Sequence, residues 1–322
     1  MNKDLRIVYM GTPDFAVLPL QKVIEAGYNV VAVVTNPDKP AGRGRKVQES
    51  AVKTYAKELG IPILQPEKFR DPQFLEELAA LKADLQLVVA FKMLPEVVWS
   101  MPKYGTMNLH ASMLPAYRGA APINWAIING DKESGVSTFI LRHEIDTGAV
   151  LLQQAVPVSE TMTAGELHDI LMEVGADLLV KSVDAIASGE YTLIEQDKLS
   201  NGHEPRHAPK IFKEDMKIDW NSKLKDIYNK VRGLSPFPAA WFELESIATG
   251  EVVPVKLFVA EAKESPSEEC IGKIISDGKH DMGIIVDGGV LYIKELQIAG
   301  KRRMAIDDFL RGFNVEQYKV KM

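Results

Sequence analysis

Residues 106–122 read TMNLHASMLPAYRGAAP, and the fold turns on this stretch. It opens with the period of a strand. Met107 and Leu109 alternate with Asn108 and His110, so the apolar side chains share one face and the amide and imidazole share the other. Pro115 and Gly119 then break the extended run, and a helical pattern follows over residues 123–128. An amide beside an imidazole at the end of a strand is suited to chemistry. On spacing alone a satisfied polar edge is the commoner outcome, so the surrounding chain decides between the two.

Upstream, residues 5–10 (LRIVYM) form an apolar run, residues 11–13 a turn, residues 14–26 a helical pattern and residues 30–35 a β-branched run. This βαβ opening predicts a parallel sheet with right-handed crossovers. The first turn, GTPDF, has one glycine. A dinucleotide pyrophosphate requires close backbone approach at several glycines, which argues against a nicotinamide dehydrogenase. Helices are expected over 50–59 and 71–82, and a buried strand (DLQLVVA) over 84–90. Ligands of open α/β sheets sit beyond the carboxyl ends of strands, so residues 88–92 are expected to border the site. Downstream come a strand over 135–141, the turn RHEIDTG over 142–148, a strand over 150–158 and a helix over 163–186.

Residues 188–209 lack sustained periodicity and contain Gly189, Gly202, Pro205 and Pro209, the composition of a linker. Beyond it lie short alternating runs at 252–259, 272–276, 282–286 and 290–296, with Asp287-Gly288-Gly289 as a hairpin signal. Such a series predicts a small barrel. The length of 322 residues fits two domains. The single cysteine, Cys270, excludes an internal disulfide framework and suits a cytoplasmic setting. No signal-peptide core and no run of 18 apolar residues is present, so no membrane span is expected. The six histidines are scattered without ligand spacing, which gives no reason to expect a metal.

Net charge is −6, yet residues 210–322 hold 18 basic and 18 acidic residues, so any nucleic-acid contact must use local patches. Residues 36–46, NPDKPAGRGRK, form one. The ordinary reading of this loop is solvated surface. The sharper one is a basic arm for phosphate, carried by Lys39, Arg43, Arg45 and Lys46.

The string from Asn108 to Gly119 resembles the folate-dependent formyltransferases, whose active site reads Asn-x-His-x-Ser-Leu-Leu-Pro-x-Tyr/Trp-Arg-Gly. Met113 replaces the usual leucine, a volume-conserving change. Asp146-Thr147-Gly148, otherwise an ordinary turn, matches the family's Asp-Thr-Gly, whose aspartate meets the histidine. The basic loop looks like the insert with which members acting on methionyl-tRNA contact the acceptor arm. Residues 210–220 (KIFKEDMKIDW) and 231–238 are similar to that branch's second domain. Two departures stand out: Ala90-Phe91-Lys92 where Ala-Tyr-Gly is usual, and Ala51 where proline is usual.

The resemblance implies an α/β fold, with a Rossmann-like, mainly parallel sheet over 1–188, a linker over 189–209 and a C-terminal OB-like, tRNA-binding β-barrel domain over 210–322. It implies formyl transfer from 10-formyltetrahydrofolate to the amino group of methionyl initiator tRNA in translation initiation, with no metal and no obligatory protein partner. Asn108, His110 and Asp146 would be catalytic. Val88, Ala90, Phe91, Ser112, Met113, Leu114 and Pro115 would hold the reduced folate, with a cis bond at Leu114-Pro115. Lys39, Arg43, Arg45 and Lys46 would meet tRNA. Arg118 is open to phosphate binding or a structural ion pair. The chemistry fits these residue types. A tetrahedral intermediate needs donors to its oxyanion, here Asn108 and a protonated His110, each worth about 10²–10³ in rate. Asp146 would take the amine's proton directly, through His110 or through a water, a contribution of about 10²–10⁴. A formyltransferase for a small amine would share these three residues, but the basic loop and the barrel argue against it. An RNA-binding protein on a retired enzyme scaffold would have no need of all three.

Overall fold

The computed structural model describes residues 3–41, 46–199, 205–265 and 270–322. The chain divides into two compact units. The first comprises Met1–Pro122, Ser134–Pro157 and His168–Ala208, and the second Ile123–Glu133, Val158–Leu167 and Pro209–Met322.

In chain order the elements begin with β1 (Arg6–Gly11), α1 (Val17–Glu25), β2 (Asn29–Val34), β3 (Lys39–Ala41), β4 (Lys46–Gln48), α2 (Ala51–Glu58), β5 (Ile63–Leu64) and α3 (Pro72–Ala80). Then come β6 (Leu85–Val89), α4 (Glu96–Trp99), β7 (Thr106–His110), β8 (Arg118–Gly119), α5 (Pro122–Ile128), β9 (Glu133–Ile140), β10 (Val150–Pro157), α6 (Ala164–Ser188) and β11 (His207–Ala208). The main sheet runs β10-β9-β7-β6-β1-β2-β5. Its pairs from β7 to β5 are parallel, and β9 reverses direction against β7. Every residue of β6 is buried, as a parallel strand covered on both faces requires. Val88 of this strand forms one core cluster with Val8, Met10, Ala32, Val34, Phe74 and Leu78.

The helix starts follow local chemistry. Ser50 caps α2 by accepting from the Lys53 amide, and Asp71 caps α3 by accepting from Gln73, with Pro72 in the first turn. At α6 the Thr163 hydroxyl and the Glu166 carboxylate exchange bonds with each other's backbone amides. The helix expected from residue 14 opens instead as one tight turn, Asp14–Ala16, before α1.

Two expectations change. The stretch 36–46, read as open loop, contributes β3 and the start of β4, which form an antiparallel pair with Lys39 opposite Gln48 and Ala41 opposite Lys46. Its Pro and Gly content masks the pairing, yet proline is tolerated in such an edge ladder. The described part of the expected linker, residues 189–199 and 205–208, is built into the first unit. Ile194 exchanges two 2.8 Å backbone bonds with Val150, and β11 runs parallel to β8. These isolated pairings carry no sequence period.

In the second unit, α7 (Leu224–Gly233) precedes β12 (Ala240–Ser246), β13 (Val252–Glu264), β14 (Ile274–Ser276), β15 (Met282–Val286), β16 (Gly289–Ile298), β17 (Met304–Ala305), α8 (Ile306–Gly312) and β18 (Tyr318–Val320). The strands pair antiparallel in the order β14-β15-β16-β13-β12-β18, a nearly closed barrel. Asp287 and Gly288 make the hairpin between β15 and β16, where Val286 pairs with Gly289 and Gly288 takes φ +92°. β13 runs past the expected 252–259 because its ladder slips at Val259 and then resumes. The barrel is filled by Trp220, Leu224, Phe242, Leu257, Ile284, Leu291 and Phe309, with the Trp220 and Phe242 rings edge to face at 5.3 Å.

Candidate active site

β7 carries the first two groups. Its ladders place Asn108 between Val88 of β6 and Phe139 of β9, and His110 opposite Ser137. The Asn108 side chain is half-buried and makes no hydrogen bond among the described residues, which leaves its amide available. His110 is only 8% exposed. Its Nε2 lies 2.9 Å from the Tyr117 carbonyl. A carbonyl oxygen can only accept, so Nε2 carries a proton. Nδ1 is therefore the free nitrogen, and it faces Asp146 Oδ2 at 3.9 Å. Catalytic contacts of this length commonly tighten when substrate enters.

Asp146 reaches His110 from the turn that leaves β9. That turn begins beside the start of β7, because Ile140 pairs with Met107, and it doubles back with Asp146 at φ +54°. Gly148 makes this path possible: a Cβ there would sit 1.7 Å from the Ile140 carbonyl oxygen. Asp146 Oδ2 accepts from the Gly119 amide at 3.0 Å. Gly119 adopts φ +126°, and a Cβ on it would lie 2.4 Å from the Ala208 carbonyl oxygen of β11. Tyr117 and Gly119, two positions apart, thus serve the two functional groups.

The segment 112–115 is locked from inside. Ser112 Oγ donates to the Ala116 carbonyl at 2.6 Å, and Ser137 Oγ donates to the Ser112 carbonyl at 2.6 Å. The Leu114 amide donates to Ser137 Oγ at 3.0 Å, and Gln153 Nε2 donates to both Leu114 O and Ser137 Oγ at 2.8 Å. The Leu114-Pro115 bond is cis. Leu114 packs on Phe139 and Val150, and Met113 lies over Gly135.

The residues expected to hold folate are therefore of two kinds. Val88, Ser112, Leu114 and Pro115 are buried, with Val88 inside the sheet core. Ala90, exposed at φ +47°, and the half-buried Phe91 and Met113 present surface. Phe91 meets the Phe69 ring edge-on at 5.7 Å. Of the basic set, Lys39 in β3 is exposed and Lys46 opens β4, while Arg43 and Arg45 lie outside the described residues. The base of that pair is fastened by Asp38, which accepts from Lys53 Nζ at 2.5 Å and Gln65 Nε2 at 2.8 Å. The Lys53 bond, then the Gln65 bond, hold the Asp38 carboxyl below its usual range.

Among the described residues Arg118 meets a neutral amide rather than the acidic partner of a structural ion pair. Its Nε and Nη2 both donate to Gln196 Oε1, at 2.9 and 2.7 Å. Gln196, Ser137 and Gln153 escape a reading of the sequence. Gln196 lies in a stretch without period, and its partners are 48 to 78 residues away. Ser137 and Gln153 sit on strands whose pattern reports only burial. Among the described residues no group of three His, Cys, Asp or Glu could hold a metal ion, and no helix is long and apolar enough to cross a membrane.

Residues 5–183 match the family model described as Formyl transferase, and residues 210–314 match Formyl transferase, C-terminal domain. Over 321 residues the chain is 53% identical to methionyl-tRNA formyltransferase of Bacteroides fragilis, covering 99% of each chain. The chain belongs to the methionyl-tRNA formyltransferase family. A second member of that family, from Porphyromonas gingivalis, is 48% identical over 314 residues, 97% of each chain. Among solved structures, HypX from Aquifex aeolicus in complex with tetrahydrofolic acid superimposes with a TM-score of 0.62 at 17% identity, over 98% of this chain and 51% of HypX. An N-formyltransferase from Helicobacter canadensis, in complex with folinic acid and dTDP-3-aminofucose, gives 0.64 at 19% identity over 94% and 100%. At these identities the likeness shows the fold alone: the Rossmann-like sheet and barrel described above. The methionyl-tRNA formyltransferase relatives, matched over nearly their full length, make the chain a formyltransferase.

Proposed function

We propose that this chain transfers the formyl group of 10-formyltetrahydrofolate to the free amino group of methionyl initiator tRNA, preparing it for translation initiation in the cytoplasm. The observation that carries the site assignment is the pairing of an unengaged Asn108 amide with a His110 whose Nδ1 faces Asp146 at 3.9 Å. Residues 1–188 carry the chemistry in this reading, and residues 210–322 contact tRNA.

The amine nitrogen attacks the formyl carbon, a C–N bond forms, and the formyl oxygen becomes an oxyanion. The Asn108 N–H and the Nδ1–H of a protonated His110 donate to that oxygen. Nε2 cannot do so, since the Tyr117 carbonyl holds it. Asp146 accepts the proton shed by the attacking nitrogen, directly or through a positioned water; a route through His110 would require the neutral imidazole instead. Collapse of the intermediate breaks the bond to N10 of the folate, and the proton ends on that nitrogen. Ala90, Phe91 and Met113 offer the reduced folate its surface, and the locked segment 112–115 offers it a fixed wall. Lys39, Arg43, Arg45 and Lys46 grip tRNA phosphates.

A formylation assay with charged initiator methionyl-tRNA and 10-formyltetrahydrofolate, comparing the unaltered chain with His110→Ala, tests this reading. Transfer that collapses in the variant supports reaction and site together. Transfer that persists in the variant removes His110 from its role. A folded, folate-binding protein that transfers nothing to tRNA overturns the substrate assignment.

A further inference from the structure

We infer that Gln196 is a positioning residue that holds Asp146 and the Tyr117–Gly119 segment in catalytic register. This rests on the function proposed above. Gln196 is 2% exposed, and all four of its hydrogen-bonding sites are used. Its Oε1 accepts both bonds from Arg118. Its Nε2 donates to the carbonyls of Asp146 and Gly148, both at 2.8 Å. The bonds close a ring. Gln196 grips the Asp146 backbone, Asp146 Oδ2 binds the Gly119 amide, and the neighbouring Arg118 returns to Gln196. The third member of the segment, Tyr117, accepts from His110. A single buried amide thus ties the left-handed turn at Asp146 to the segment that orients His110.

A reacting group displaced by about 1 Å loses on the order of 10² in rate. Gln196→Met keeps the side-chain length and removes all four bonds. The expected result is a fall in kcat of about 10²-fold, with KM for folate and for tRNA within about threefold, since Gln196 is buried and spends all its hydrogen bonds on the protein. In an Asp146→Asn background, measured under single turnover, the same substitution is expected to cost clearly less than in the unaltered chain, because part of its effect passes through Asp146 and the rest through the segment that orients His110. Should Gln196→Met fail to fold, Gln196→Glu makes the same test, keeping the Arg118 contact while losing both donors. Unaltered enzyme is assayed first. If it transfers no formyl group, the proposed function fails and the role of Gln196 with it. If it is active and the Gln196 variant retains kcat within about twofold, or the loss is fully additive in the Asp146→Asn background, the role of Gln196 alone is overturned.

Discussion

His110 Nδ1 and Asp146 Oδ2 stand 3.9 Å apart, and each is fixed by a residue of the same short segment. Tyr117 accepts from His110 and Gly119 donates to Asp146, so the separation of the two groups is set by the backbone between them. Together with the unengaged amide of Asn108, this arrangement makes distinct kinetic demands on each residue.

Asn108→Ala removes a donor that matters once the oxyanion forms. It is expected to lower kcat by about 10²–10³ and to leave KM nearly unchanged, because ground-state binding does not use the lost bond. Asp146→Asn should lower kcat by about 10²–10⁴. Steady-state formylation with separate titrations of folate and tRNA checks both. A rise in KM at constant kcat would recast either residue as a binding group.

Gly119→Ala places a methyl against the backbone of Ala208 and forces a left-handed φ on a residue with a Cβ. Strain of this kind amounts to about 1–3 kcal/mol. Thermal unfolding should report a lowered midpoint, and activity should fall with it, since the Gly119 amide also holds Asp146. Full activity at reduced stability would separate the close approach from the chemistry.

Replacing Arg43 and Arg45 together with alanine should weaken tRNA binding and flatten its salt dependence. Each phosphate that is no longer neutralised changes the slope of log Kobs against log salt by about 0.7–0.9. Binding measured across a salt series decides the matter, and an unchanged slope would remove both arginines from phosphate recognition.

Asp277 accepts backbone N–H bonds from Asp281, His280 and Lys279, at 2.9, 2.7 and 2.8 Å. These bonds, that of Asp281 first, push its carboxyl down to about 2. An ordinary aspartate titrates near ~3.9, so the folded value is depressed. The stabilisation is then complete above that range and is lost as pH falls toward 2. Denaturant midpoints of the unaltered chain and Asp277→Ala should therefore differ most near pH 7 and converge below about pH 4. A gap that widens in acid would contradict this sign.

In the barrel, Trp220 Nε1 is buried and has no hydrogen-bond partner among the described residues, whereas the Phe242 ring it packs against carries no polar atom. Trp220→Phe removes a donor whose burial costs about 1–3 kcal/mol and should be much milder than Phe242→Ala, expected to cost about 3–5 kcal/mol. Comparative unfolding of the two variants checks the ranking.

Patterns set by neighbours along the chain are legible in the sequence. The alternation at 106–110, the Asp71-Pro72 helix start and the Asp287-Gly288 hairpin each encode a local backbone state, and each appears where expected. The resemblance carried Asn108, His110 and Asp146 as a set, and the last two meet although 36 positions separate them. What stayed hidden depends on distant partners. β12 follows a proline-rich turn and is defined by its ladder to β13. The pairing of β3 with β4 hides in a composition typical of loops. Gln196 looks like any polar residue in an irregular stretch, because its significance lies in carbonyls contributed by Asp146 and Gly148.

The shared suspension of His110 and Asp146 also bears on how the enzyme would fail. If the segment from Tyr117 to Gly119 shifts, the two groups move out of place together. One shift of this segment therefore removes a contact from each group at once. Damage that favours the shifted state would thin the population of working molecules while each survivor turns over at its full speed. A count of active sites would expose this difference, which an averaged rate conceals.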